Sequence, residues 1–131
     1  PKNLVDYHKD VFYHSKNDEI GFICFDFKEK SIKLTSYTIK SNNNPNGFCN
    51  PKSWVVEVSN DNKKWEEIDR RENDSSLKGS KIIFTFKVKK PKENFYRFIR
   101  LRQISKGWNT SDYYIWFYSI EFNGELKYAS K

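Results

Sequence analysis

The chain has 131 residues, with 24 Lys and Arg against 17 Asp and Glu, a net charge of +7, and 18% aromatic side chains within 37% apolar ones. So short a chain is read as one domain over residues 1–131, and so aromatic a composition excludes a disordered tail as its main character. No apolar run is long enough for a membrane-spanning helix. The chain opens at Pro1 and contains no Met, which reads as a piece of a longer polypeptide, so the absence of a leader says nothing of the parent.

Taken in order, Leu4–Phe12 is the one stretch with helix-like spacing, through Leu4, Val5, His8, Val11 and Phe12. Phe22–Phe27 reads as a strand in which Cys24 is a buried thiol serving as a small hydrophobe. Ile32–Lys40 is a second strand. Ser41-Asn42-Asn43-Asn44-Pro45-Asn46-Gly47 is the strongest turn signal, followed by Asn50-Pro51. Ser53–Ser59 alternates, with Trp54, Val56 and Val58 on one face and Glu57 opposite, and then turns at Ser59-Asn60-Asp61-Asn62. Beyond the polar stretch Asn73–Ser80, Ile82–Lys89 sets Ile82, Phe84, Phe86 and Val88 against Thr85, Lys87 and Lys89. After Lys90-Pro91, Phe95–Ile104 places Ile99 and Leu101 opposite Arg100 and Arg102, which are positioned to pair with carboxylates. Lys106-Gly107-Trp108-Asn109 reads as a protruding tip, and Tyr114–Phe122 as a last strand buried on both faces. Strands rich in β-branched and aromatic residues, separated by turns without intervening helices, give an all-β sandwich or barrel.

The chemistry points away from catalysis. His8 and His14 lie six apart without an H-E-x-x-H or C-x-x-C partner pattern, and there is no G-x-S-x-G, P-loop or G-x-G-x-x-G. Glu66 and Glu67 point to opposite sides of a strand and so do not act together. No catalytic residue, metal ligand or cofactor is assigned, and the chain is read as no enzyme. The lysines are scattered among apolar strand positions and turns, as on solvated faces and guarded sheet edges, so the basic excess is not read as a nucleic-acid surface. Cys24 and Cys49 do not tie the chain ends together, which favours a reducing, cytoplasmic compartment. The N-x-S triplets at Asn73 and Asn109 matter only in a secreted chain. Phe12, Tyr13, Phe48, Trp108 and Tyr113 fall in or beside turns, where aromatics either anchor a ligand with little entropy to lose or plug the open ends of the sandwich. Of these, Trp108 and Tyr113 are favoured as functional.

The run from Ser53 to Asp69, with Trp54, Glu57, Ser59-Asn60-Asp61, Trp65, Ile68 and Asp69, resembles the discoidin family, also called the coagulation factor 5/8 C-type domain. Gly21–Phe27 with its Asp26, Tyr96–Gln103, and Ser119–Gly124 resemble three further motifs of that family, in the right order. Asn62 stands where the family usually has Gly. Asp69-Arg70 and the later Arg102-Gln103 are most similar to the intracellular branch that accompanies BTB adaptor domains or HECT-type ubiquitin ligases. The resemblance implies a jelly-roll β-sandwich of about eight antiparallel strands, described as galactose-binding-like. Its ligands meet loops at one end, here Tyr7–Asn17, Ser41–Pro51 and Ser105–Tyr113. Some relatives hold a structural calcium near the first loop, where Asp6 and Asp10 are the nearby carboxylates. The expectation is a non-catalytic module recognising a protein or peptide through Tyr13, His14, Asn44, Asn46, Phe48, Arg102, Trp108 and Tyr113. The alternatives are carbohydrate, with Trp108 or Tyr113 stacking on a sugar while Asn44, Asn46 or Arg102 bond its hydroxyls, and, behind it, anionic lipid.

Overall fold

The computed structural model describes residues 2–6, 11–14, 22–41, 50–79, 81–106, 108, 117 and 119–128, the first two stretches through their backbone alone. These residues hold nine strands: β1 (Lys2–Asp6), β2 (Val11–His14), β3 (Phe22–Asp26), β4 (Lys30–Lys40), β5 (Trp54–Ser59), β6 (Glu66–Arg71), β7 (Ile83–Lys87), β8 (Phe98–Gln103) and β9 (Ser119–Tyr128). A single 3₁₀ turn, Ser75–Leu77, precedes β7. The strands form a four-stranded sheet in the order β1-β9-β4-β7 and a five-stranded sheet in the order β2-β3-β8-β5-β6.

Alternating side chains build the core between the sheets. Ile23, Phe25, Trp54, Val56, Val58, Ile68, Ile99 and Leu101 come from the five-stranded sheet, and Ile32, Leu34, Tyr37, Ile39, Phe86, Ile120 and Phe122 from the other. In β4 the inward phase changes midway, from Ile32 and Leu34 to Tyr37 and Ile39. The pairing with β9 slips at that point, between Leu34 and Ser36, so one extra residue, Thr35, re-aims the second half of the strand at the core. Gly124 of β9 lies opposite Leu34. A β-carbon there would sit 2.1 Å from the Lys33 carbonyl oxygen, so the close approach of β4 and β9 requires glycine.

A buried polar chain also joins the sheets. Trp54 Nε1 donates to the Tyr37 hydroxyl at 3.0 Å, Tyr37 donates to Asp69, and Arg71 Nε reaches the same carboxylate at 3.0 Å. Trp54, Tyr37 and Asp69 are almost wholly buried. Burial and the Asp69 charge together hold the Tyr37 phenol well above its ordinary pKa, so it stays a hydroxyl donor. The two landmarks Trp54 and Asp69 of the recognisable run are therefore two ends of one internal hydrogen-bond path.

The helix-like spacing of Leu4–Phe12 is overturned: this stretch contains β1 and the start of β2. A helix this short is marginal alone, whereas β1 gains ladder bonds along β9, with Leu4 opposite Asn123 and Val5 opposite Phe122. The last strand overlaps the expected one at Ser119–Phe122 and runs on to Tyr128. Tyr114, Ile115, Trp116 and Tyr118 fall outside the described residues, as do His8, Asp10 and Cys49.

Candidate functional site

Strand register decides which connections share an end. Lys40 pairs with both Ser119 and Ile83, Trp54 pairs with both Gln103 and Arg71, and Phe22 pairs with Arg102. The connections β2–β3, β4–β5, β6–β7 and β8–β9 therefore all leave one end of the sandwich. The floor of that end is polar and buried. Ser41, Asn50, Ser53 and Gln103 expose almost nothing, and each ties one connection to another. Asn50 Nδ2 and the Ser41 hydroxyl both donate to the Gly79 carbonyl, at 2.9 and 3.0 Å, while Ile82 N donates back to Ser41 Oγ. The Gln103 side-chain oxygen accepts from Lys52 N at 2.9 Å, and Ser53 Oγ accepts from Asn73 N at 2.8 Å. Buried polar groups left unpaired are costly, so this set holds the connections in one arrangement.

Three side chains converge above that floor. Trp108 is half-buried, with the Lys52 Nζ 4.9 Å and the Lys78 Nζ 4.7 Å from its ring centroid. Lys52 is placed by the Gln103 bond and by Asp74 N, which donates to its carbonyl. Lys78 is placed by the 3₁₀ turn, which Asp74 caps by accepting from Ser76 N and which fully buried Leu77 pins to the core. The Trp108 Nε1 is buried and has no hydrogen-bond partner among the described residues. Its N–H edge therefore faces inward, and Trp108 as a whole is partly exposed. The site is thus an aromatic platform with two ammonium groups, mounted on a rigid frame.

Of the residues that the sequence nominates, Trp108 is brought to this end with its ring in the site. Arg102 stands elsewhere: it projects on the outer face of the five-stranded sheet, where its Nε lies 3.2 Å from Glu57 Oε1. Arg100 shares that carboxylate at 2.9 Å and stacks 4.0 Å from the Trp65 ring centroid. The expected pairing of these arginines with a carboxylate is thus found in Glu57. Tyr13 and His14 are seen through the backbone of β2, whose His14 end pairs with Phe22 at the same end of the sandwich. Asn44, Asn46, Phe48 and Tyr113 lie outside the described residues. Lys52, Lys78 and the floor residues escape a reading of the sequence. Their one local signal is that they occupy turn-rich segments; their meeting at Trp108 depends on strand register.

The opposite end serves structure. Arg97 clasps Asp26 at 2.7 and 2.9 Å, which joins two of the family-like motifs and lowers the Asp26 pKa. Asp61 accepts from Lys63 N and Lys64 N, both at 2.8 Å, and from the Ser59 hydroxyl, which brings its carboxyl down to about 2. Asn62 takes a left-handed conformation with φ of 59°, the position where Gly is usual. A cleft of about 390 Å³ lies beside β6, lined by Glu67, Ile68, Asp69, Arg70, Glu72, Lys89 and Lys90. Its charges are largely matched internally, with Arg70 bonded to Glu67 and close to Glu72. On the outer sheet face, burial pushes the Cys24 thiol up to about 11 against the pull of Arg100, as expected of an inert packed cysteine.

No protein-family model matches the chain, and no curated protein matches it. Solved structures do. The F5/8 type C domain of a Bacteroides fragilis protein aligns with 95% of this chain and 91% of its own, at a TM-score of 0.59 and 13% identity. CBM32-1 from a family 31 glycoside hydrolase of Clostridium perfringens aligns with 95% and 94%, at a TM-score of 0.51 and 13% identity. The fold is therefore the all-β, galactose-binding-like jelly-roll sandwich shared with F5/8 type C and CBM32 domains. Neither neighbour supports the narrower assignment to the intracellular BTB and HECT branch.

Proposed function

We propose that this chain is a non-catalytic carbohydrate-binding module whose ligand docks at the loop end, on Trp108. The observation that carries the reading is partly exposed Trp108, held with Lys52 and Lys78 over a buried hydrogen-bonded floor. A flat aromatic surface suits the C–H face of a sugar ring, and adjacent polar groups orient its hydroxyls. A neighbour that is itself a carbohydrate-binding module, taken from a glycoside hydrolase, supports this choice over the protein or peptide partner favoured from the sequence. The segments that leave the same end contribute further contacts in this reading: Tyr13 and His14 from β2, Asn44, Asn46 and Phe48 before β5, and Tyr113 after Trp108. Arg102 keeps its pairing with Glu57 and supports the sheet.

The test is a glycan array probed with the intact chain and with two variants. Wild type and Lys63→Gln, a change in the exposed turn at the opposite end, are expected to bind the same glycans, and Trp108→Ala to lose them. Binding that survives Trp108→Ala, or no glycan binding by folded protein, refutes the assignment.

A further inference from the structure

We infer that the site prefers acidic carbohydrate, a sugar carrying a carboxylate or a sulfate; the inference rests on the carbohydrate-binding reading above. Lys52 and Lys78 come from different connections, yet the floor and the 3₁₀ turn bring both ammonium groups within 5 Å of one ring centroid. Two like charges brought together repel each other, and an anion placed between or beside them relieves that repulsion. Contact with an aromatic face is weak compensation at partly exposed positions.

Some cations elsewhere are matched, Lys33 by Glu125, Lys92 by Glu66, Arg97 by Asp26 and Arg100 by Glu57. Others, such as exposed Lys63 and Lys87, have no carboxylate partner among the described residues; Lys52 and Lys78 differ in converging on one ring. Among the described residues, neither Lys52 nor Lys78 has a carboxylate partner. The acids nearest in sequence are committed, Asp74 to the cap of the 3₁₀ turn and Glu72 to Arg70. Lys81 and Lys106, both exposed in connections at this same end, add to the positive field. A ligand that stacks on Trp108 and also carries anionic oxygens at its ring substituents satisfies platform and charges together. A neutral sugar satisfies the platform alone.

The test titrates the intact chain by calorimetry with an oligogalacturonate, its carboxyl-reduced neutral counterpart, a sulfated galactose oligomer, and phosphatidylserine vesicles. The acidic oligosaccharides are expected to bind about tenfold or more tighter than the neutral one at low salt, the scale of two partly exposed charge contacts. That gap is expected to shrink at 0.5 M NaCl and to close in Lys52→Gln/Lys78→Gln, with the melting temperature retained. The carboxylate and sulfate arms show which anion is preferred. Equal affinity for acidic and neutral sugars overturns the inference and leaves the carbohydrate reading standing. Failure of every sugar overturns both, and vesicle binding in their place assigns the lysines to an anionic lipid surface.

Discussion

Replacing Tyr37 by Phe removes one oxygen and tests the path that joins the sheets. In the native protein that hydroxyl accepts from Trp54 Nε1 and donates to Asp69, with Trp54 and Tyr37 both fully buried. The variant leaves a buried indole donor unpaired, at a cost of about 1–3 kcal/mol, and deletes a hydrogen bond to a charged acceptor, a further ~1.5–3 kcal/mol. Arg71 still holds the carboxylate, so its charge is not stranded and the loss stays near the sum, about 3–5 kcal/mol. For a chain of this size that lowers the melting temperature by about 10–20 °C. Urea denaturation is the assay: the midpoint is expected to fall while the slope stays constant, because the surface exposed on unfolding is unchanged. A loss below about 1 kcal/mol, the net worth of one ordinary hydrogen bond, refutes the argument that this path is a tie between the sheets.

Gly124→Ala is expected to cost about 3 kcal/mol or more, above the usual range for overpacking, because the added carbon meets the Lys33 carbonyl at 2.1 Å and the backbone of β4 must move. Thermal melts that place it within a degree or two of wild type contradict the observed closeness of β4 and β9. The pKa of Asp61 is depressed from 3.8 to about 2, so its contribution to stability is present above pH 4 and is lost as the pH falls towards 2. Asp61→Asn is therefore expected to lose stability less steeply than wild type between pH 4 and pH 2 in urea titrations, and identical slopes count against the turn as drawn.

Much of the scaffold is legible in local patterns. The alternation of Trp54, Val56 and Val58 against Glu57, and of Ile99 and Leu101 against Arg100 and Arg102, states which face meets the core between the sheets before any partner strand is known, although β5 turns out to be buried on both faces. The bond from Arg97 to Asp26 is different in kind. Both residues lie in recognisable motifs, yet their contact spans 71 positions and becomes visible only once β3 and β8 are paired. Leu4–Phe12 misleads because edge-strand pairing with β9 outweighs a weak local helical pattern, and that gain lies 115 or more residues away in the chain.

The candidate site divides along the same line. That Trp108 is a candidate is readable from an aromatic residue in a polar tip, since burial there is not guaranteed by any periodicity. That Lys52 and Lys78 flank it, and that Arg102 instead neutralises Glu57, is decided by register alone. Period-two spacing is a property of neighbouring residues and survives in a string of letters. Which loops converge at one end depends on contacts between distant strands, and those exist only in the folded chain.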